Sequence, residues 1–136
     1  MTFAISLIDA QVSQAQAHAA RAKQHQEAEY KRVRAEFRAK LETIWPELEH
    51  AVLVASAEGK WDLPIWNPKW YGLFQKKKRT KLSDILNDEL FESWGHTRWD
   101  TYKLEEAFAT FLDEKFSSRV SLGGCARWGL SVRWFK

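Results

Sequence analysis

From Ile5 to Ala57 apolar residues recur three and four positions apart. Tyr30, Val33, Phe37, Leu41, Ile44, Leu48 and Val52 fall on one stripe of a helix. Toward the N-terminus the stripe continues through Ala22, Ala19, Ala15, Val12, Ile8 and Ile5, mostly as small side chains. No Gly or Pro interrupts residues 1–45, which are rich in the good helix formers Ala, Gln, Glu, Lys and Arg. A long helix is therefore predicted. Between Gln11 and Glu29 its only sizeable aliphatic is Val12, so this part is expected to protrude, to seat on a partner chain or its own copy, or to fray. Pro46 removes a backbone donor and disfavours helical geometry at Trp45, which predicts a kink or break there.

Past Glu58-Gly59-Lys60 the pattern changes. Pro64, Pro68 and Gly72 alternate with Trp61, Trp66, Trp70 and Tyr71, which argues against helix and for an edge strand or an ordered aromatic loop. Thr80 or Ser83 then caps a helix with Leu82, Ile85, Leu86, Leu90, Phe91 and Trp94 on one face, ended by Gly95. Asp100 or Thr101 starts another, with Leu104, Ala107, Phe108, Phe111, Leu112 and Phe116 inward. At the C-terminus the period drops to two: Ala126, Trp128, Leu130, Val132 and Trp134 alternate with Arg127, Gly129, Ser131 and Arg133. Upstream, Val120 and Leu122 form a shorter run, and Gly123-Gly124 is the expected tight turn of a hairpin. A lone hairpin is marginal, and Trp61–Ile65 is the candidate third strand, confined to an edge by Pro64. The predicted class is α+β: a long N-terminal helix, two shorter amphipathic helices and a small antiparallel sheet including a C-terminal β-hairpin. Residues 1–45 are expected to form the long helix, protruding or oligomerising, and 46–136 a compact α+β body, in a single domain overall.

Composition sharpens this in one respect. The chain has 8 Trp in 136 residues. Trp94, Trp128 and Trp134, with Trp45 beside them, fit apolar faces and are expected in the core, whereas Trp61, Trp66 and Trp70 crowd the proline-broken segment. The formal net charge of +3 says less than its distribution. Residues 60–81 carry seven basic groups against Asp62 alone, and residues 82–118 carry three basic and nine acidic groups. Separated surfaces of opposite sign steer association with charged partners.

Candidate chemistry is sparse. No apolar stretch is long enough for a membrane span, the first ten residues lack a secretory pattern, and the single Cys125 fits a reducing compartment, so a cytoplasmic location and no membrane partner are expected. His18, His25, His50, His96 and Cys125 have no metal-type spacing, and no metal or cofactor is expected. A nucleophilic Cys125 would need His96 as its base, and the more economical reading is a small side chain after a turn. Pro46-Glu47 followed by Glu58-Gly59-Lys60 superficially resembles the PD-(D/E)xK nuclease pattern, which would imply a metal-dependent nuclease using Glu47, Glu58 and Lys60. The stripe through this region argues instead for a helix C-terminus with solvated charges.

The most informative feature is aromatic and basic together. Trp61, Trp66, Trp70, Tyr71, Lys76, Lys77, Lys78, Arg79 and Lys81 form the candidate partner-binding segment, with Arg119, Arg127 and Arg133 as a secondary basic patch. Trp, Tyr and Arg are the residues that dominate protein interfaces, and cations with aromatic platforms also hold single-stranded nucleic acid. The bland alternative has the tryptophans in the core and the lysines solvated or neutralised by the neighbouring acidic helix. The sequence is read as a small non-enzymatic binding protein that occupies a protein or nucleoprotein partner, with nucleic-acid binding as the second reading and the nuclease as the third. By composition alone it resembles the inhibitors and regulators that phages and mobile elements direct at host machinery. The N-terminal helix offers a route to a homo-oligomer.

Overall fold

The stripe folds as one helix, α1 (Thr2–Ala57), in the computed structural model of the chain, which describes residues 2–91, 98–125 and 127–134. The break expected at Pro46 does not occur, since the residues on both sides are helical and Ile44 and Leu48 are buried. The proline forfeits the bond its N–H would give the Glu42 carbonyl. Packing on either side compensates, with Trp45 against Phe111 and Phe116 at ring-centroid distances of 5.8 and 5.0 Å. Gly59, at φ +84°, ends the helix: its N–H donates to the Ser56 carbonyl and the Lys60 N–H to the Ala55 carbonyl, closing the last turn.

The chain divides into two units, residues 1–33 and 34–136. The boundary therefore falls before Arg34 and not at residue 45, because Phe37, Leu41 and Ile44 are already core residues of the second unit. In the first unit every residue from Ser6 to Ala28 is exposed.

Three further helices cover the α1 stripe. Helix α2 (Lys81–Phe91) opens on a reciprocal cap, in which Ser83 N–H donates to Thr80 Oγ1 at 3.0 Å and Thr80 N–H to Ser83 Oγ at 2.8 Å. The expected stop at Gly95, and Trp94 with it, lie outside the described residues. The helix predicted from Asp100 or Thr101 is two, a short α3 (Arg98–Thr101) and α4 (Leu104–Phe116), separated by Lys103 at φ 49°. Helix α4 buries Leu104, Phe108, Phe111 and Leu112. Phe37 sits edge-on to Trp99 at 6.1 Å and against Phe108 at 6.2 Å. Glu89, almost fully buried, reaches Lys40 Nζ at 2.9 Å and Arg98 Nε at 3.2 Å, tying α2 to α1 and α3. The α1–α4 seam adds Arg38 to Glu114, Lys115 to Glu42 at 3.0 Å and Arg34 to Glu106 at 3.8 Å.

Strands β1 (Asp62–Trp66), β2 (Val120–Cys125) and β3 (Gly129–Trp134) form an antiparallel sheet in the order β1-β3-β2, so the α+β class holds and Pro64 does lie on an edge strand. Leu63 and Leu122 pair with Val132, whose face is buried together with Leu130 and Trp134. The hairpin reverses after Cys125, and the tight turn expected at Gly123-Gly124 is instead part of β2. Gly124 serves close approach of backbone to backbone within the ladder. A Cβ on Gly124, at φ +89°, would stand 2.1 Å from the Gly129 oxygen, and one on Gly123 would strike the Arg133 side chain at 2.6 Å. No described helix is long and apolar enough to cross a membrane.

If the α1 stripe carries the fold, Phe37→Ala should cost about 3–5 kcal/mol in denaturant unfolding. Leu53→Ala, on the exposed side of the same helix, should stay within about 0.5 kcal/mol.

Candidate functional site

Strand β1 delivers the chain into the aromatic-basic loop at Trp66. Asn67 caps the first 3₁₀ turn, Pro68–Tyr71, by accepting the Lys69 N–H at 2.9 Å, and Pro68 supplies the φ the turn requires. A second 3₁₀ turn, Lys76–Lys78, follows Gly72-Leu73-Phe74-Gln75, and Arg79 leads into α2. Arg79 then braces what precedes it. Its Nε donates to the Trp70 carbonyl at 2.8 Å, and its guanidinium lies over the Tyr71 ring at 4.6 Å. The Tyr71 hydroxyl lies 2.9 Å from both Ser83 Oγ and Asp84 Oδ1, and it donates to the carboxylate. Burial, with this bond to Asp84, pushes the Tyr71 hydroxyl up to about 12 against the opposing pull of Ser83 and Arg79. The loop is thus fastened at both ends.

The structure distributes the candidate residues unevenly. Trp66 is 0% exposed, with its indole N–H donating to Asn87 Oδ1 at 3.3 Å, so it is a core residue and offers no surface to a partner. The cause is a register irregularity between Pro64 and Trp66. Alternation would point Ile65 and Trp66 to opposite faces, but the extra residue turns Trp66 inward opposite Leu130, and both are buried. Trp70 and Tyr71 are half-buried, and Arg79 is committed to them. Lys81 pairs with Glu47 at 3.3 Å. Lys69, Lys76, Lys77 and Lys78 are exposed and make no ion pair among the described residues. Trp61 is exposed at the start of β1, and Arg119 precedes β2. Both belong to the end of the sheet opposite the loop, about 17 Å away by the length of β3. Arg133 lies along the sheet, its Nε donating to Ser131 Oγ at 3.3 Å.

Leu73 and Phe74 fall outside the candidate residues read from the sequence. Leu73 and Phe74 are 92% and 95% exposed, side by side at the tip of the braced loop. The available signal was an apolar pair outside any periodic pattern, wedged between Gly72 and the lysine run. Trp128 also reverses its expected place. It stands 73% exposed in the β2–β3 turn under the Arg127 guanidinium, at 5.1 Å, and not in the core.

The other chemistry does not assemble. Glu47 and Glu58 are eleven residues apart on and just past α1, about 16 Å along its axis, and Lys60 pairs with Glu58 at 3.1 Å. The nuclease-like residues are therefore not brought together. No group of three or more His, Cys, Asp or Glu able to hold a metal occurs among the described residues. Cys125 is exposed, and His96 lies outside the described residues. An apolar pocket of about 130 Å³ between α1, β1 and α2 is lined by Leu48, Ala51, Leu63, Ile65 and Leu82, and its one carboxylate, Glu47, is the partner of Lys81. Comparison of the chain with protein-family models, with curated proteins and with solved structures yields no match.

Trp66→Ala should destabilise the fold by about 3–5 kcal/mol, which makes it unsuitable as a probe of binding. In an alkaline absorbance titration one tyrosine should ionise near pH 12, and Tyr71→Phe should remove that step. Because the folded state holds this proton more tightly than the unfolded chain, the associated stability is complete below pH about 10 and is lost as pH rises toward 12.

Proposed function

We propose that this chain is a small, non-catalytic binding protein that acts by occupying a protein or nucleoprotein partner, with the loop from Asn67 to Arg79 as the contact. The observation that carries the reading is the Leu73-Phe74 tip, two large apolar side chains held almost wholly in water on a loop whose ends are fastened by Asn67, Tyr71 and Arg79. Full burial of each such side chain is worth about 1.5–3 kcal/mol, none of which the free protein collects. A pre-ordered loop also loses little conformational entropy on docking. The lysines beside the tip bias the choice of partner surface toward negative charge, so the contact within a nucleoprotein falls on an acidic protein face or on the nucleic acid, and not on a basic groove. Such a protein acts as an inhibitor or regulator, by blocking what it covers.

The test is a Leu73→Ala/Phe74→Ala double variant used in affinity capture from lysate of the source cells, with and without nuclease treatment. Its unfolding midpoint should match that of the wild type, since neither side chain supports the core. Partner recovery should fall at least tenfold. Undiminished recovery would show that the contact lies elsewhere.

A further inference from the structure

The loop is not alone at its end of the sheet. Strand β1 runs antiparallel to β3, so the exit from β1 lies beside the entry to β3. A Cβ on Gly129 would stand 3.0 Å from the Trp66 carbonyl oxygen and 3.7 Å from Asn67 Cα. The turn bearing Arg127 and Trp128 therefore abuts the residues that open the Asn67–Arg79 loop. Residues 66–79 and 127–129, which build this end, contain no Asp or Glu, and the Asp84 carboxylate at the base of the loop takes the Tyr71 hydroxyl. Along the packed helices six cations meet carboxylates: Arg34, Arg38, Lys40, Lys81, Arg98 and Lys115. Here Lys69, Lys76, Lys77, Lys78 and Arg127 meet none among the described residues. Two aromatic rings, Phe74 and Trp128, stand exposed among them.

We propose that this end of the sheet binds single-stranded nucleic acid, with the five cations along the phosphates and the Phe74 and Trp128 rings against unpaired bases. The assignment rests on the reading of the Asn67–Arg79 loop as the contact surface and names the chemistry that loop meets. Cations without carboxylates match a polyanion, and rings match bases because every base has a flat face. The Arg127–Trp128 pair distinguishes a strand from a lipid surface. The guanidinium stacked on one indole face leaves the other for a base, whereas sinking Trp128 into hydrocarbon would take the charge with it or break the stack. A duplex is disfavoured because its bases are hidden in their own stack.

The experiment is fluorescence-anisotropy titration of labelled oligothymidylate and oligouridylate with the intact protein over a range of salt. Their relative affinities distinguish DNA from RNA as the source of the strand. The affinity should fall with salt at a log–log slope of up to about −3.5 for five phosphates, and Lys76→Ala/Lys77→Ala/Lys78→Ala should reduce that slope by about 2. Trp128→Ala, on the other loop, should weaken binding about 5- to 150-fold at fixed salt while leaving the slope and the unfolding midpoint unchanged. A duplex of mixed sequence and phosphatidylserine vesicles are the competing targets. Absence of strand binding at low salt, tighter binding to duplex or vesicles, or full affinity in Trp128→Ala would each overturn the proposal. Failure here, combined with nuclease-resistant capture that Leu73→Ala/Phe74→Ala abolishes, would place the loop on a protein and leave the partner-occupying function standing. Capture indifferent to those two substitutions would remove both.

Discussion

Everything in the compact unit follows from one demand, that the apolar stripe of α1 from Phe37 to Ala55 be covered. No single element is broad enough. Helix α4 covers Phe37 and Trp45 with Phe108, Phe111 and Phe116, the Trp99 ring closes on Phe37 from α3, and the sheet turns its apolar face inward with Leu130, Val132 and Trp134. The demand is strong enough to continue the helix through Pro46, where the local backbone preference points the other way. One carboxylate, Glu89, is taken almost wholly out of water: Lys40 Nζ donates to its Oε1 and the Arg98 guanidinium stands against its Oε2 as a charge partner, which ties three helices together.

The same packing empties one end of the sheet of function in the fold. With the core complete, the loop after β1 and the turn between β2 and β3 have nothing left to cover. Yet they are not slack. Asn67, Tyr71 and Arg79 hold the first in place, and the near contact of Gly129 with Trp66 sets the second beside it. The exposed side chains they hold, Leu73, Phe74 and Trp128 with the neighbouring cations, are the features on which the proposed contact rests. Four carboxylates of the acidic helices are engaged within the fold: Asp84 with the Tyr71 hydroxyl, Glu89 with Lys40 and Arg98, Glu106 and Glu114 with arginines of α1.

Much of the architecture was legible because its signals are local. The three-and-four spacing of Phe37, Leu41, Ile44 and Leu48, the cap at Thr80 and Ser83, and the period of two through Leu130, Val132 and Trp134 each depend only on near neighbours. The candidate surface was legible in its lysines and in little else. Of the tryptophans expected to face a partner, Trp66 is in the core, and Trp128, expected in the core, faces water. The most exposed pair, Leu73 and Phe74, carried no periodicity to give it away.

The sequence by itself determined the elements: a long amphipathic helix, two more helical runs, an edge strand marked by Pro64 and a C-terminal hairpin. Only the tertiary structure decided which aromatic side chains face water. That choice depends on strand register, where a single extra residue reverses the face, as it does for Trp66, and on where the hairpin turns, which puts Trp128 beyond the sheet. Register is settled by pairing between residues some 65 positions apart, such as Trp66 with Leu130, and no local pattern in the chain encodes it.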